Sequence, residues 1–406
     1  MTATTTRPEV SDPPRTGAEV LARAKALAPV LRARAADIEQ ARQLPADIVE
    51  LIRATGVYRM GFAERWGGPA ATSMTQVEVI EALAYGDASA GWCAAINGIS
   101  GIMANFLDPE CVPEVYPSPD AITTIVLAPV GRADKVDGGF RLSGQWTFAS
   151  GITHADRVVC GAFIFENGEP YASPDGSNPH ESRLFLVPQD RVEVIGGRWN
   201  TTGMCGTGSG DFTVTDVFVP EGHTLTFDNP RVPPGPLVTA DAYLRSLPGV
   251  PMGVARAALD HAREVILGRT DRLTGVDWKD SWRAQVALAE CEADFVAMRA
   301  GVLGSMRKQW EVLAAGGKLD DLSLVDRAAS PLSWVHAFRV SKSIVQRLFD
   351  LLQTASIHKT GPMERWLRDI STMCQNVGAQ DVVFESVGAY MLGRRPKFRF
   401  FLGIVD

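Results

Sequence analysis

The chain has 406 residues, 46% of them hydrophobic and 21% charged, with a formal net charge of −7. That length and balance describe an ordinary soluble globular protein with room for two or three structural units. The acidic balance argues against a nucleic-acid footprint, and no stretch approaches the roughly 18 unbroken apolar residues that would span a membrane.

The first 17 residues are polar and rich in Thr and Pro, and read as a disordered lead-in without an apolar signal core. From Ala18 to about Ile38 an Ala/Leu/Arg-rich run sets Leu21, Ala24, Leu27, Ala28 and Leu31 on one helical face. Pro45 opens a second helix over Ala46–Thr55, which Gly56 closes. A third helix is predicted from about Ser73 to Tyr85. The segment Asp87-Ala88-Ser89-Ala90-Gly91-Trp92 leads into a further helix of small apolar residues that reaches Phe106. Asn97 is the one polar side chain deep in it, and either a helix–helix hydrogen bond or a pocket role would explain it.

Around Pro117–Pro119 the hydrophobic period changes. Ile122–Leu127, Phe140–Phe148, Arg157–Phe165, Ser182–Val187 and Phe212–Val219 read as strands separated by Gly, Asp, Pro and Asn turns. Residues 167–181 are a polar excursion that reads as an exposed loop. The proline-rich run at 228–236 fits neither helix nor central strand and marks a boundary. Helices follow over Gly253–Leu267, Asp280–Ala315, Leu332–Thr354, Pro362–Val377 and Gln380–Leu392. In the longest, Val286, Ala289, Ala293, Val296, Ala300, Leu303 and Met306 recur at three/four spacing, as a core or subunit-interface stripe would. Cys93, Cys111, Cys160, Cys205, Cys291 and Cys374 show no C-x-x-C spacing, which fits reduced thiols in a cytoplasm and no metal site.

Two stretches carry chemistry. Residues 143–160 place a short polar segment around Trp146, Ser150, Gly151 and His154 between two strands. A planar ring could stack on Trp146 or Phe148 while hydroxyls and backbone N–H groups meet its polar edge; a β-hairpin with Trp146 in the core is the competing explanation. Residues 199–220 begin as a Gly/Thr/Ser loop after Trp199 and alternate into a strand that ends at Pro220. No G-x-G-x-x-G lies between a strand and a helix, and there is no Walker loop.

Together the two stretches resemble the middle domain of the acyl-CoA dehydrogenase fold. More narrowly they resemble its flavin-dependent monooxygenase branch, the oxygenase components of two-component hydroxylases. There a W-x-F-x-S-G-x-x-H-A stretch and a W-x-x-x-G-M-x-G-T-G-S loop border the flavin. Leu44-Pro45…Gly56…Trp66-Gly67-Gly68, the D-x-S-x-x-W at Asp87–Trp92, and Pro362-Met363-Glu364-Arg365-Trp366-Leu367-Arg368-Asp369 extend the resemblance over nearly the whole chain. It implies an α+β, acyl-CoA dehydrogenase-like fold. A helical N-terminal domain (1–119), a central β-barrel domain (120–235) and a C-terminal four-helix bundle (236–406) are expected.

The same resemblance implies roles. Trp146, Thr147, Phe148, Trp199, Thr207, Gly208, Ser209 and Arg368 match cofactor-bordering positions. Ser150 matches a serine near the reacting edge of the flavin, His154 is a candidate catalytic histidine, and Trp92 and Asn97 lie on the substrate side. Arg368 and Asp369 also fit a purely structural ion-pair network. Phenol-hydroxylating relatives have a histidine seven residues beyond the Asp, where this chain has Asn376, which cannot act as a base but can orient substrate. The expected protein is a cytoplasmic homotetramer. It uses reduced FMN or FAD from a separate flavin reductase, molecular oxygen and a C4a-(hydro)peroxyflavin to oxygenate a small aromatic or polycyclic substrate. An acyl-CoA dehydrogenase with Glu364 or Glu385 as base, and a non-catalytic ligand-binding protein, are the alternatives.

Overall fold

The computed structural model describes residues 12–173, 178–197 and 199–404. The polar lead-in before residue 12 lies outside the described residues. Helix α1 (Gly17–Ala41) starts where the Thr16 hydroxyl accepts from Glu19 N at 3.2 Å, and stops at Arg42 in left-handed backbone. Helix α2 (Ala46–Ala54) follows Pro45, and Gly56 takes the positive φ of 83° that ends it. Helices α3 (Ser73–Gly86) and α4 (Ala88–Asn97) are capped by Thr72 and Asp87. The expected run to Phe106 breaks after Asn97 and continues only as the short α5 (Ser100–Met103), with α6 (Val112–Val115) beyond it.

The strands are β1 (Thr123–Val136), β2 (Gly139–Ala149), β3 (Arg157–Glu166), β4 (Glu169–Pro170), β5 (Ser182–Pro188), β6 (Glu193–Ile195), β7 (Gly210–Pro220) and β8 (Thr224–Leu225). They form one sheet in the order β6-β7-β2-β1-β3-β5-β8, with β4 on β3. β1 and β3 run parallel and the other pairs antiparallel. Among the described residues this path is open, so the expected barrel does not close. Its ends, β6 and β8, are only three and two residues long, too short to pair as a seam. β1 also runs past the predicted Leu127, because register shifts on either side of Pro129 absorb a residue that has no N–H to give.

The predicted excursion at 167–181 contains the β4 pairing and the short-range bond from Ser173 N to Asn178 O. Residues 228–236 form neither helix nor strand, as expected. Five helices follow: α7 (Gly249–Gly268), α8 (Trp282–Ala314), α9 (Leu324–Leu352), α10 (Met363–Met373) and α11 (Asp381–Met391). α9 begins eight residues before the predicted start and continues across Pro331, held by the burial of Arg327, Ala328, Trp334 and Val335 around it. It packs on α7, α8, α10 and α11, while α7 also packs on α3 of the N-terminal layer. α10 ends four residues before the predicted Val377, and that early stop matters for the site.

On α8 the buried stripe is Ala284, Ala287, Cys291, Phe295, Met298, Val302, Met306 and Leu313. The predicted stripe shares only Met306 with it. Ala289, Ala293, Val296 and Ala300 face outward, with Val296 63% exposed. Both faces of α8 are therefore apolar, and periodicity alone could not say which one the chain itself covers.

The segment before α7 is fastened by one buried ion pair. Asp241 and Arg245 meet at 2.9 Å with side chains 1% and 2% exposed, and Gln309 of α8 donates to Asp241 at 2.9 Å. Arg245→Ala leaves Asp241 buried without a counter-charge and should cost about 3–5 kcal/mol, read as a lowered denaturant midpoint. Replacing both members by apolar residues of similar volume should recover most of that loss. Equal loss in the single and the double variant would contradict the charge-burial account.

Candidate active site

The end of β2 and the loop 199–209 meet over α4 and the end of α10 around a cavity of about 510 Å³. That lies within the roughly 300–1,000 Å³ range of sites that bury a small ligand. Phe148, Trp199, Trp92, Met204 and Met373 give it aromatic and apolar walls. Phe148 sits where β2 slips register against β7, has φ 64°, and leaves its ring 72% exposed. A bulky residue held in left-handed backbone with its ring open to a cavity is strain of order 1–3 kcal/mol placed where a ligand ring would lie. The Phe148 and Trp199 rings stand edge to face, 6.2 Å apart at 88°.

Ser150 lies on the polar wall. Its carbonyl accepts from Asn97 Nδ2 at 2.9 Å and from Thr124 Oγ1 at 2.8 Å, and Gly151 N donates to Thr207 O at 2.9 Å. Its hydroxyl belongs to a chain of hydrogen bonds whose direction can be worked out from one end. Thr207 Oγ1 lies 2.9 Å from the Met204 carbonyl, which can only accept, so Thr207 donates. The 2.7 Å contact between Ser209 and Thr207 then uses the Ser209 proton, and the 2.8 Å contact between Ser150 and Ser209 uses the Ser150 proton. Trp92 Nε1 donates to Ser150 Oγ at 3.1 Å. Every proton in the chain is thus committed within it. Ser150 therefore presents a lone pair to a ligand and no donor.

The facing wall comes from the residues after α10: Thr372, Met373, Gln375, Asn376 and Val377. α10 stops because Asn376 is in extended backbone and its Oδ1 accepts from Gly378 N at 2.8 Å, capping the turn Val377–Ala379.

Several predicted site residues lie elsewhere. Trp146 is fully buried in the sheet, stacked on Phe212 at 5.2 Å, with its indole N–H on Gly161 O at 2.9 Å. Gly131 and Gly144 make room for that ring, since a Cβ on either would strike it. The core explanation thus holds for Trp146, and Phe148 is the aromatic of the two that lines the cavity. Thr147 is exposed on β2 and does not line the cavity. Asn97 is buried behind the wall, where it holds the Ser150 backbone, and it is not among the cavity-lining residues. His154 turns inward through the short helix Ile152–His154, so it is behind Gly151 and outside the cavity. Burial, with Arg53 adding to it, pushes His154 down to about 4 and keeps it neutral. Gly208 takes φ 53° beside Gln43 and is likewise not a lining residue. Ser150, Phe148, Trp92, Trp199, Thr207, Ser209 and Asn376 do converge on the cavity. Thr201, Met204, Thr372, Met373, Gln375 and Val377 were not singled out, although each lies within a few residues of one that was.

Arg368 does not reach the cavity. It bridges Glu364 at 2.7 Å and Glu39, and donates to Thr202 O at 2.6 Å. Burial works against an ionised Glu39, yet Arg368 and Arg365 hold its carboxyl below the ordinary value. The neighbouring Asp369 accepts from Met204 N at 2.6 Å. Burial, reinforced by Asp87, outweighs that hydrogen bond and pushes the Asp369 carboxyl up to about 7, and burial takes Asp87 to about 6. Gly203 lies so close to the Arg368 backbone, and Gly206 to Ile38, that neither could carry a Cβ. The loop glycines serve close packing between α1 and α10; Arg368 builds the predicted ion-pair network, while Asp369 binds backbone instead.

The family described as acyl-CoA dehydrogenase, N-terminal domain, matches residues 21–110, and the corresponding C-terminal domain matches residues 247–381. The chain is similar to an indole-3-acetate monooxygenase of Pseudomonas putida, 31% identical over 90% of this chain and 91% of that protein. It is also similar to the flavin-dependent monooxygenase oxygenase subunit HsaA of Rhodococcus jostii, 27% identical over 86% and 91% of the two chains. Its fold matches that of XiaF from Streptomyces sp., solved with FADH2 and glycerol, with a TM-score of 0.84 and 23% identity over 94% of this chain and 96% of that one.

The Asp369 clamp has a pH signature. A carboxyl whose folded pKa lies above its unfolded value binds its proton more tightly in the native state, so stability falls as pH rises between the two values. Asn at 369 keeps an acceptor for Met204 N and removes the ionisation. Between roughly pH 4 and 7 the wild-type melting temperature should therefore fall more than that of Asp369→Asn. Parallel curves would remove Asp369 from the account.

Proposed function

The chain belongs to the flavin-dependent monooxygenases built on the acyl-CoA dehydrogenase fold, and from that membership we propose that it oxygenates a small aromatic substrate with reduced flavin supplied by a separate reductase. The observation that carries this reading is Ser150 on the wall of an aromatic-walled cavity, its proton committed to a hydroxyl chain of fixed direction and a lone pair left over. Phe148 and Trp199 offer flat apolar surface to an isoalloxazine ring, and Ser150 meets its polar edge. An acceptor suits only the N–H positions of that ring. At the reacting edge, N5 carries a hydrogen in the reduced form and a bare lone pair in the oxidised form. Ser150 therefore favours the reduced cofactor, whether FMN or FAD.

Bound reduced flavin supplies two electrons to oxygen, so that one oxygen atom enters the substrate and the other leaves as water. The protein's part is placement and exclusion. Trp92, Met204 and Met373 keep water from the ring, and Asn376 orients the substrate on the opposite wall. No carboxylate lines the cavity among the described residues. Glu364 is bound to Arg368, and Glu385 pairs with Lys397 on the surface. The base an acyl-CoA dehydrogenase needs over its substrate is thus not supplied by either candidate.

We further propose three units at 1–119, 120–235 and 236–406, and a homotetramer assembled through the outward apolar face of α8. Val296 and Trp282, 63% and 76% exposed, support that surface.

Anaerobic titration tests the reading. Ser209→Ala removes the group that takes the Ser150 proton, so Ser150 can turn its O–H toward the cavity and serve oxidised flavin as well. The ratio of oxidised to reduced flavin Kd should fall about tenfold, the worth of one hydrogen bond. Ser209→Thr keeps the hydroxyl and should keep the ratio. A folded Ser209→Ala protein with the wild-type ratio, or a wild type that binds both forms equally, would overturn the assignment.

A further inference from the structure

We propose that the substrate is an uncharged arene bearing a hydrogen-bond acceptor, such as a ketone, quinone or amide carbonyl, and that Asn376 is the residue that selects it. This rests on the cavity being the oxygenation site and adds the chemistry of what enters it.

The cavity carries no ionisable side chain among the described residues. The charges nearest to it are already engaged. Arg368 is held by Glu364 and Glu39, and Asp369 faces Met204 N. His154 lies behind Gly151. A carboxylate on the substrate would leave water for a wall of Trp, Met, Thr and Val with no cation to meet it. Burying an unpaired charge in that way costs several kcal/mol.

The polarity of Asn376 narrows the class further. Its side-chain atom at 2.8 Å from Gly378 N must be the oxygen, because a backbone N–H can only donate. The end left wholly without a partner is Nδ2, which donates and does not accept. Gln375, at the exposed mouth, spends its own Nε2 on Ser371 O at 3.2 Å. Across the cavity, Ser150 spends its lone pair on the flavin N–H. A substrate between the two walls therefore finds a donor at Asn376. A carbonyl satisfies that donor. A phenol would meet it with its oxygen but would need a second partner for its proton, and no base lines this wall among the described residues.

The test uses three probes of similar size, acetonaphthone, naphthol and naphthoate, titrated against tryptophan fluorescence from Trp92 and Trp199 in the flavin-loaded protein. Flavin binding is measured on the same samples. Wild type should bind acetonaphthone at least about tenfold more tightly than naphthoate. Asn376→Asp keeps the oxygen that caps Gly378 N and converts the free end from donor to acceptor. Acetonaphthone should then weaken by about ten- to a hundredfold while naphthol gains, which reverses the order. Naphthoate bound as tightly as the ketone by wild type, or a ketone preference that survives Asn376→Asp, would overturn the proposal. Binding none of the probes while flavin binds would also overturn it. Loss of flavin binding itself would instead strike the monooxygenase reading.

Discussion

The peptide unit of Met204 joins the two halves of the site. Its N–H is held by Asp369 at 2.6 Å, and its carbonyl receives Thr207 Oγ1 at 2.9 Å and Trp199 Nε1 at 3.0 Å. The first bond ties the loop to α10. The others set the direction of the hydroxyl chain and the seat of Trp199. Because the carbonyl can only accept, its position decides where the protons of Thr207, Ser209 and Ser150 go, and so decides what Ser150 can offer a ligand. Gly203 and Gly206 allow this by bringing the loop into backbone contact with α10 and into contact with α1. Arg368 on Thr202 O and Arg42 on Trp199 O fasten the same loop at two further points.

Charge is kept outside this arrangement. Glu39, Asp87, Glu364, Arg365, Arg368 and Asp369 lie behind the loop, where they pair with one another or with backbone, and none lines the cavity. The result is an uncharged compartment beside a charged hinge. Within it, fixed dipoles replace water, as suits a reaction whose reactive species lasts only if water is excluded. Of the seven described non-glycine residues in left-handed backbone, two, Phe148 and Met204, line the cavity.

Much of this was legible in the sequence. The order of helices, strands and helices follows from the change of hydrophobic period near residue 120. The motif around Ser150 and the loop after Trp199 located the site. Which aromatic of Trp146 and Phe148 faces a ligand was not legible, because it turns on a register slip against β7 that shifts the alternation after Trp146. His154 stands out by its place in a motif and Asn97 as the one polar side chain deep in an apolar helix, but a short turn and the helix direct both behind the wall. Asn376 could be seen to be no base. That its oxygen was already taken required the early end of α10, which a side-chain cap produces and periodicity does not announce.

The central claim is that this cavity is where reduced flavin would supply the electrons that put one atom of dioxygen into a substrate. Isotopically labelled dioxygen tests it most directly. A flavin reductase supplies reduced FMN to the protein and acetonaphthone, and the product is analysed by mass. The account predicts one labelled oxygen atom in the product, the other in water, and no product without the reductase. Product oxygen derived from unlabelled water, or reduction of bound flavin by an acyl thioester in the absence of oxygen, would contradict it.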